Sequence, residues 1–258
     1  MKVALLGPEG TYTHQAAAKY FEQLDPDFCS TIREVFSSGT EVKFVPVENS
    51  LGGGVSDTVE LLRSEDNQIT AEVHLEIQHA LISDRESIDD IEKVKSHPQA
   101  LTQCKEIIEK HDWETEETGS TAAAVEQLSS GEAAIASEIA GEINGKNILQ
   151  TSIQDTVTNK TRFFVLNGNP EPEEKTALVL EPGEDRPGLL HAMLSCFAGH
   201  QVNLTHIQSR PTKKQLGEYY FYVEAQAAGE TLENTVKCLE TYAKVKKLGE
   251  YSLIGEDN

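Results

Sequence analysis

A break in composition at residues 167–176 constrains the fold of this chain more than any other sequence feature. The ten residues read NGNPEPEEKT and contain two prolines, one glycine and three glutamates, with no large apolar side chain. A segment of this kind has nothing to bury in a core and is typical of a linker. It separates about two thirds of the chain from a C-terminal part with the size of a small domain. We therefore predict a first domain at 1–168, a linker at 169–175 and a second domain at 176–258.

The charge of the chain limits its partners. Lys and Arg number 22 and Asp and Glu number 43, so the net charge is -21. This balance argues against a nucleic-acid partner, which needs a basic surface, and against an anionic membrane surface. An acidic solubilising surface or an adaptation to high salt would both explain it. Any anionic ligand would be repelled by the overall field, so its site needs local positive potential.

Other bulk features favour a globular cytoplasmic protein. Hydrophobic residues make up 38% of the chain and charged residues 25%. The N-terminal segment MKVALLGPEG lacks the long apolar run of a signal peptide, and no run reaches the length of a membrane span. We therefore expect a cytoplasmic location and no membrane partner.

The four cysteines are scattered along the chain, at Cys29, Cys104, Cys196 and Cys238. They form no Cys-x-x-Cys motif, and no histidine lies beside them at the spacing of a metal site. We expect four free thiols in a reducing compartment, no bound metal and no cofactor.

The first domain alternates short apolar runs with helical patterns. Strands are predicted at VALLG, VKFVPVE and EAAIAS, and one long extended stretch at ITAEVHLEIQHALI. Helices are predicted at THQAAAKYFEQL, VSDTVELL, PQALTQCKEIIEK and STAAAVEQLSS. Such alternation indicates an α/β domain with one sheet or two.

The second domain has the order strand, helix, strand, strand, helix, strand. The strands are predicted at TALVLEP, VNLTHIQSRP, GEYYFYVEAQ and VKKLGEYSL, and the helices at RPGLLHAMLSCFAGH and LENTVKCLETYAKV, with Gly199 ending the first helix. This βαββαβ order predicts a ferredoxin-like fold.

Four segments of the first domain place small polar groups at a strand end or a helix start. They are 7–13 with Thr11, 46–55 with Glu48, Asn49 and Ser50, 96–104 with Ser96, Gln99 and Gln103, and 119–128 with Ser120 and Thr121. Each segment also has a plain structural explanation, as a turn, a flexible glycine loop, a solvated helix face or a helix cap. The second segment is the most informative, because ligands of open α/β sheets bind at the carboxyl ends of strands.

The third segment, 96–104, predicts the start of a helix with one polar and one apolar face. Pro98 suits the first helical position, which leaves Ser96 or His97 as the N-cap. We interpret His97 as the residue before a helix and not as a metal ligand. Gln99 and Gln103 are four residues apart and share a face. Leu101, Cys104, Ile107 and Ile108 form a separate apolar face.

The segment TNKTRFFVL at 158–166 places a polar pair at the start of a buried strand. In a regular strand neighbouring side chains point to opposite faces, so Thr161 shares a face with Phe163, and Arg162 takes the other. The two residues therefore cannot both address one small ligand unless the strand is irregular. A threonine hydroxyl donates and accepts hydrogen bonds but does not act as a base near neutral pH. We expect Arg162 to fix the strand or a neighbouring carboxylate.

Taken together, these segments resemble a known family. GPEGTYTHQAA, VPVENS, SHPQALTQC, STAAA and NKTRFFVL, in this order, closely resemble the prephenate dehydratase family. RPGLLHAML and VNLTHIQSRP resemble the ACT regulatory domain that accompanies that enzyme. The resemblance covers nearly the whole chain. Because no helical segment precedes Met1, we expect the monofunctional form without a chorismate mutase domain.

The resemblance implies a fold and a reaction. The fold is a two-lobed catalytic domain, similar to periplasmic binding proteins and with a cleft between its lobes, followed by a ferredoxin-like ACT domain. In the reaction, prephenate loses water and carbon dioxide to give phenylpyruvate in phenylalanine biosynthesis. The resemblance also implies inhibition by L-phenylalanine at an ACT–ACT interface, and therefore a homodimer or homotetramer.

The resemblance also implies site residues in the first domain. The catalytic threonine of the family corresponds to Thr161, and its substrate-contacting Asn, Ser and Gln correspond to Asn49, Ser96 and Gln103. Arg162 and Phe163 complete its Thr-Arg-Phe motif. We add Glu48 as a candidate proton donor. The full set of expected substrate-binding residues is Thr11, Asn49, Ser50, Ser96, Gln99, Gln103, Ser120, Thr121, Arg162 and Phe163.

In the second domain the resemblance implies an effector site. Its residues are Gly188, Leu189, Leu190, Asn203, Leu204, Gln208, Ser209, Arg210 and Pro211. The family usually has Glu-Ser-Arg-Pro where this chain has Gln208 to Pro211, which puts the binding of the effector's ammonium group in question.

In the first domain, Gly52 stands where the family resemblance implies a larger residue, and we expect a looser loop there.

Two other functions remain open at this point. An arogenate dehydratase would perform the same chemistry on the aminated substrate. A non-catalytic amino-acid sensor would combine a binding-protein-like domain with an ACT domain. The intact TRF and ENS motifs count against the sensor, and against a general acidic interaction scaffold.

Overall fold

The computed structural model describes residues 1–156, 158–169, 174–184, 186–213 and 218–254. They form two compact units. The first comprises Met1–Val55 and Val73–Phe163, and the second comprises Ser56–Glu72 and Phe164–Asn258. The predicted linker lies partly outside the described residues, and the domain boundaries proposed from the sequence stay a prediction.

The first unit begins with three strands and two helices. These are β1 (Lys2–Leu6), α1 (Tyr12–Tyr20), β2 (Asp25–Cys29), α2 (Ile32–Ser37) and β3 (Val42–Asn49), followed by the two-residue strand β4 (Gly53–Gly54). The next helix, α3 (Ser56–Ser64), belongs to the second unit. Strand β5 (Ile69–Glu76) then runs from the second unit into the first.

The remaining elements of the first unit alternate strands and helices. They are β6 (Ala80–Ser83), a 3-10 turn (Ile88–Asp90), β7 (Lys93–Ser96), α4 (Pro98–Gln103), α5 (Lys105–His111), β8 (Glu114–Glu117), α6 (Thr121–Glu126), β9 (Glu132–Ala136), α7 (Glu138–Ile143) and β10 (Asn147–Gln150). Strand β11 (Lys160–Leu166) then runs from the first unit into the second.

Two sheets contribute to the first unit. In one sheet, β11, β3, β1 and β2 follow one another, with β4 antiparallel to β3. Strand β1 is parallel to both β2 and β3, so β1 and β3 end at the same edge. Phe163 of β11 stacks on Phe44 of β3, with ring centroids 4.9 Å apart, and both rings are buried. Burial of these apolar side chains is what favours the strand arrangement.

The other sheet has the order β10, β6, β9, β7, β8. Strand β7 is parallel to β8 and β9, while β6 is antiparallel to β9. The predicted apolar face of the helix after Ser96 packs here, because Cys104 and Ile108 are buried in a cluster with Val94 and Trp113. The sequence left open whether the first domain has one sheet or two, and the structure has two.

The second unit contains the predicted βαββαβ order. Its elements are β12 (Lys175–Pro182), α8 (Leu189–Gly199), β13 (Asn203–Pro211), β14 (Tyr219–Gln226), α9 (Gly229–Leu239), β15 (Ala243–Tyr251) and β16 (Leu253–Ile254). The sheet order is β13, β14, β12, β15, with all three pairings antiparallel. Both helices pack on this sheet through buried residues such as Phe197 and Leu232. Strand β16 pairs with β5, and β5 pairs with β11.

Gly249 shows how closely two strands of the second unit approach. Its φ is +152°, and a Cβ atom there would lie 2.1 Å from the carbonyl oxygen of Ile69. Only glycine fits such an approach, because any side chain would overlap the backbone of β5.

Most predicted elements are present, and three differ from the prediction. The long extended stretch from Ile69 is two strands, β5 and β6, which belong to different sheets. The predicted helix from Pro98 breaks at Cys104 into α4 and α5. The last predicted helix ends at Leu239, because the following residues from Ala243 join β15.

The prediction of four free thiols is wrong for two cysteines. Cys196 of α8 and Cys238 of α9 form a disulfide, with Cα atoms 5.8 Å apart. They lie 42 residues apart in sequence, so only the packing of α8 against α9 reveals the pairing. Cys29 and Cys104 are free, as predicted.

Within the described ranges, no helix has the length and apolar character needed to cross a bilayer. The longest described helices, α8 and α9, have 11 residues each.

Candidate active site

A cavity of about 560 Å³ lies in the first unit, where polar segments from both of its sheets meet. Its walls come from the carboxyl ends of β1 and β3, from β4, from the start of β11 and from the starts of α1, α4 and α6. The lining residues are Leu6, Gly7, Thr11, Tyr12, Thr13, Ser30, Asn49, Gly52, Gly53, Gly54, Val55, Ile77, His79, His97, Gln99, Ala100, Gln103, Gly119, Ser120, Thr121, Asn159 and Thr161. All four polar segments identified in the sequence therefore contribute to one site.

Three helices begin at the cavity wall, each with a capping side chain. Thr11 Oγ1 accepts from the backbone of His14 at the start of α1, and Ser120 Oγ accepts from the backbone of Ala123 at the start of α6. His97 Nδ1 accepts from the backbone of Gln99 at the start of α4. The N-cap of α4 is thus His97 and not Ser96, and the N-cap of α6 is Ser120.

The described residues of the lining include no Asp, Glu, Lys or Arg, although the whole chain carries a net charge of -21. The positive ends of three helix dipoles and several amide groups face this space instead. The described lining thus differs from the chain as a whole, in which Asp and Glu number 43.

Asn49 and Thr161 are held together at one side of the cavity. Asn49 Nδ2 donates to Thr161 Oγ1 at 2.9 Å and to Asn159 Oδ1 at 2.7 Å. Asn49 Oδ1 accepts from the backbone N–H groups of Leu51 and Gly52, at 3.1 Å and 2.8 Å. The backbone of Gly52 thus contacts the Asn49 side chain, and the looser loop expected at Gly52 stays a prediction.

A second group of side chains continues from Asn159. Its Nδ2 donates to Gln103 Oε1 at 3.1 Å, and His79 Nε2 lies 2.8 Å from the same oxygen. On the other side of the imidazole, Tyr12 Oη is in hydrogen-bonding contact with His79 Nδ1. His79 is only 3% exposed. The polar wall of the cavity is thus one connected network from Asn49 to Tyr12.

Burial shifts the pKa values of this network. It lowers the pKa of His79, although the hydrogen bond to Gln103 opposes the change, so the ring is neutral at pH 7. It raises the pKa of the Tyr12 phenol well above its usual value. Burial, together with the nearby charge of Asp155, raises the pKa of Cys104 to about 12, so this thiol stays protonated.

Four residues predicted for the site bond elsewhere, and a fifth packs in the core. Arg162 Nη1 donates to Glu48 Oε2 at 2.8 Å, and neither residue lines the cavity. Arg162 thus lies on the face of β11 opposite to Thr161, as the alternation of side chains along a strand predicted. Ser96 is buried and donates to the carbonyl of Ile135, and Ser50 donates to the carbonyl of Thr158.

The side chain of Phe163 is buried against Phe44 and lies outside the lining. The predicted residues that the structure does bring together at the cavity are Thr11, Asn49, Gln99, Gln103, Ser120, Thr121 and Thr161.

Sequence reasoning missed three members of the site. Tyr12, His79 and Asn159 each contribute a side chain to the network described above. Tyr12 directly follows Thr11, and Asn159 lies two residues before Thr161, so both are inside the quoted motifs. His79 lies in a stretch interpreted only as strand, and no local pattern marks it.

The second unit has a cavity of its own, of about 390 Å³. Arg63 Nε and Glu181 Oε1 form an ion pair of 2.6 Å in its wall. The other lining residues are Pro182, Gly183, Leu189, Leu190, Ser209, Thr212, Glu218, Tyr219 and Phe221. Apolar and aromatic groups thus surround a paired cation and anion.

Of the predicted effector residues, Leu189, Leu190 and Ser209 line this second cavity. Arg210 and Gln208 do not, because Arg210 Nε donates to Gln208 Oε1 at 2.9 Å and its Nη1 donates to the carbonyl of Ser56.

Four further predicted effector residues also lie outside the lining. Asn203 begins β13 and donates to Gln226, Leu204 packs on the core, and Pro211 ends β13. Gly188, with φ +83°, is the N-cap of α8.

Comparison with known proteins agrees with this architecture. The sequence model of the family described as "Prephenate dehydratase" matches residues 3–171, and that of the ACT domain matches residues 183–233. The chain belongs to the prephenate dehydratase family. The resemblance seen in the sequence motifs is thereby confirmed, as is the mixed α/β fold with a C-terminal ACT domain.

Three relatives show how far the similarity extends. A prephenate dehydratase from Methanocaldococcus jannaschii is 38% identical over 95% of this chain and 95% of its own. The crystal structure of a prephenate dehydratase from Staphylococcus aureus superposes with a TM-score of 0.86 and 33% identity, covering 97% of this chain and 100% of that one. A prephenate dehydratase from Arthrobacter aurescens in complex with L-Phe gives a TM-score of 0.86 and 28% identity, covering 98% and 90%.

Proposed function

We propose that this prephenate dehydratase family member converts prephenate to phenylpyruvate. The substrate dianion loses carbon dioxide from its ring carboxylate and hydroxide from the opposite ring carbon, and the ring becomes aromatic. One proton completes the departing water, so the products are phenylpyruvate, carbon dioxide and water. The catalyst mainly has to orient the leaving carboxylate and stabilise the departing hydroxyl.

The direction of one hydrogen bond carries this proposal. Asn49 Oδ1 is taken by two backbone N–H groups, so its amide nitrogen must be the group that faces Thr161. An amide N–H can only donate, and Thr161 Oγ1 therefore accepts. The proton of the Thr161 hydroxyl is left to donate into the cavity. A hydroxyl donor placed this way stabilises negative charge on a leaving oxygen.

The electrostatics of the cavity suit a dianion. Its described lining residues include no carboxylate, and three helices present their N-terminal ends there, which favours negative charge. Neutral donors such as the Gln103 amide and the Thr161 hydroxyl supply hydrogen bonds to carboxylate groups. We assign Glu48 to the Arg162 ion pair and no longer to proton donation, because it lies outside the lining.

We further propose that L-phenylalanine binds in the cavity of the second unit and inhibits the enzyme. The ion pair of Arg63 and Glu181 matches the carboxylate and ammonium groups of a free amino acid. Leu189, Leu190 and Phe221 supply an apolar wall for an aromatic side chain. The relative from Arthrobacter aurescens, which carries L-Phe, supports an effector of this kind.

A homodimer or homotetramer built through the ACT domain is the third proposal. Strand β13 is at the edge of its sheet, and an edge strand offers unpaired backbone groups to a partner. Ile207 and Tyr219 on this side of the sheet are 44% and 50% exposed, and Leu190 is 40% exposed. Light scattering of the purified protein would show a monomer if this proposal is wrong.

An assay of phenylpyruvate formation tests the activity. The chain should turn over prephenate, and L-phenylalanine should reduce the rate. A higher kcat/KM on arogenate than on prephenate would instead make it an arogenate dehydratase. Absence of product from both substrates, with tight phenylalanine binding, would support a non-catalytic sensor.

A further inference from the structure

The polar network in the cavity wall has a fixed direction, which begins at the backbone. Leu51 and Gly52 donate to Asn49 Oδ1, so Asn49 Nδ2 donates onward to Asn159 Oδ1. Because Asn159 Oδ1 accepts, its amide nitrogen is the group that faces Gln103. Each amide orientation thus follows from its neighbour, and none is an arbitrary choice between oxygen and nitrogen.

The network ends with two donors on one oxygen. Asn159 Nδ2 lies 3.1 Å from Gln103 Oε1, and His79 Nε2 lies 2.8 Å from it. An amide oxygen has two lone pairs, so both are used. The NH₂ group of Gln103 is the part of this amide that remains for the cavity.

His79 can donate from Nε2 in its neutral form only if Nδ1 carries no proton. Tyr12 Oη contacts Nδ1 and also lies 3.3 Å from the carbonyl oxygen of Gln78, so its proton has two acceptors within reach. Donation to Nδ1, the shorter of the two contacts, is the one that fits this tautomer. The two rings also make an edge-on contact, with centroids 5.5 Å apart. Both side chains are held in place, since His79 is buried and its backbone N–H donates to Gln154 Oε1 at 2.9 Å.

We propose that His79 and Tyr12 are positioning residues that hold the Gln103 amide with its NH₂ group facing the cavity, where it binds a carboxylate of the substrate. The proposal rests on the proposed function for the identity of the dicarboxylate. Without the donor from His79, Asn159 Nδ2 alone holds the Gln103 oxygen, so the amide is less firmly fixed with its NH₂ group toward the cavity. A less firmly held donor binds a carboxylate more weakly, so substrate binding should weaken more than the chemical step.

Three variants of the full-length protein test this. His79→Leu removes the donor, His79→Gln keeps an N–H near the position of Nε2, and Tyr12→Phe keeps the ring but loses the donor to Nδ1. We expect His79→Leu to raise KM for prephenate about tenfold with kcat changed less than about threefold, as loss of one hydrogen bond to a charged group implies. His79→Gln should restore KM to within about threefold of the parent protein. An equal rise of KM in both His79 variants would overturn the proposal, because side-chain volume would then explain it.

A spectroscopic measurement decides the tautomer without any turnover. In protein labelled with ¹⁵N-histidine, long-range ¹H–¹⁵N correlation spectra should show His79 protonated at Nε2, with the signal identified by its loss in His79→Gln. Tyr12→Phe should introduce the Nδ1-protonated form. Protonation at Nδ1 in the parent protein would overturn the proposal, even if His79→Leu fails to fold. If the tautomer is as expected but prephenate is not consumed, the proposed function fails and the positioning role stands.

Discussion

The two cavities of this protein differ in the charged side chains of their linings. The cavity of the first unit is lined by amides, hydroxyls and helix starts, and its described lining residues include no Asp, Glu, Lys or Arg. The cavity of the second unit has an arginine–glutamate pair 2.6 Å apart within an apolar wall. The first suits a ligand with net negative charge, and the second suits a zwitterion whose two charges replace those of the pair.

This difference explains how a chain of net charge -21 can attract a dianion. No Asp or Glu is among the residues that the structure describes in the lining of the first cavity, so these do not neutralise the helix dipoles and amide donors there. A zwitterion carries no net charge and is not repelled by the overall field. The second cavity therefore tolerates Glu181 and Glu218 in its wall.

The largest expected effect is the loss of the Thr161 hydroxyl. Thr161→Val should lower kcat by roughly 100- to 1000-fold, because one preorganised donor to the leaving oxygen is removed. Thr161→Ser keeps the hydroxyl and is the matched control. Phenylalanine binding by equilibrium dialysis should not change in either variant. A near-normal kcat for Thr161→Val would refute the assignment.

The disulfide tests the second unit in isolation from the first cavity. Replacing Cys196 and Cys238 together with serine should lower the free energy of unfolding by about 2–4 kcal/mol, because the bond closes a loop of 42 residues. Chemical denaturation under non-reducing conditions measures it, with Cys29→Ser as the control. Equal stability of the double variant and the parent protein would show that the thiols are unpaired in solution.

A carboxylate introduced into the first cavity tests whether substrate binding depends on a lining without acidic side chains. Gln103→Glu keeps the shape and the acceptor for His79 and Asn159, but it places a carboxylate beside a dianionic substrate. We expect KM for prephenate to rise at least about tenfold, from like-charge repulsion at a partly shielded site. Gln150→Glu adds the same charge at an exposed residue and should change KM little. Similar KM values for both variants would contradict the claim that the first cavity disfavours acidic side chains.

The ion pair of the second cavity can be broken from one side. Arg63→Met should weaken phenylalanine binding about tenfold by removing the partner of its carboxylate, while kcat without effector stays unchanged. Arg33→Met, on α2, removes a positive charge elsewhere and is the control. Unchanged phenylalanine affinity in Arg63→Met would place the effector outside this cavity.

The smallest expected effect is on stability in mild acid. The folded-state pKa of His79 is lowered by burial, and so is that of His14, so both bind a proton more readily in the unfolded chain. Stability should therefore be complete above the usual histidine pKa of about 6.5 and should decline as pH falls below it. Thermal unfolding of His79→Gln should show a weaker decline over this range than the parent protein. An equal decline would exclude His79 as a source.

The order of elements could be predicted because it depends on local patterns. Alternating apolar runs and helical periodicity located β1, β3, β9 and the whole βαββαβ order of the second domain. The long stretch from Ile69 could not be divided in the same way. Both of its halves have strand character, and only pairing with different neighbours assigns them to different sheets.

The sequence by itself determined the fold class, the family and the segments that meet at the active site, since these follow from short patterns that recur with their local structure. Tertiary structure decided which side chains in those segments face the cavity. Arg162 and Ser96 lie next to lining residues in sequence but are turned toward Glu48 and the backbone of Ile135. It also brought His79 to Gln103 and Cys196 to Cys238. These contacts join residues far apart in the chain, and local periodicity carries no information about such distances.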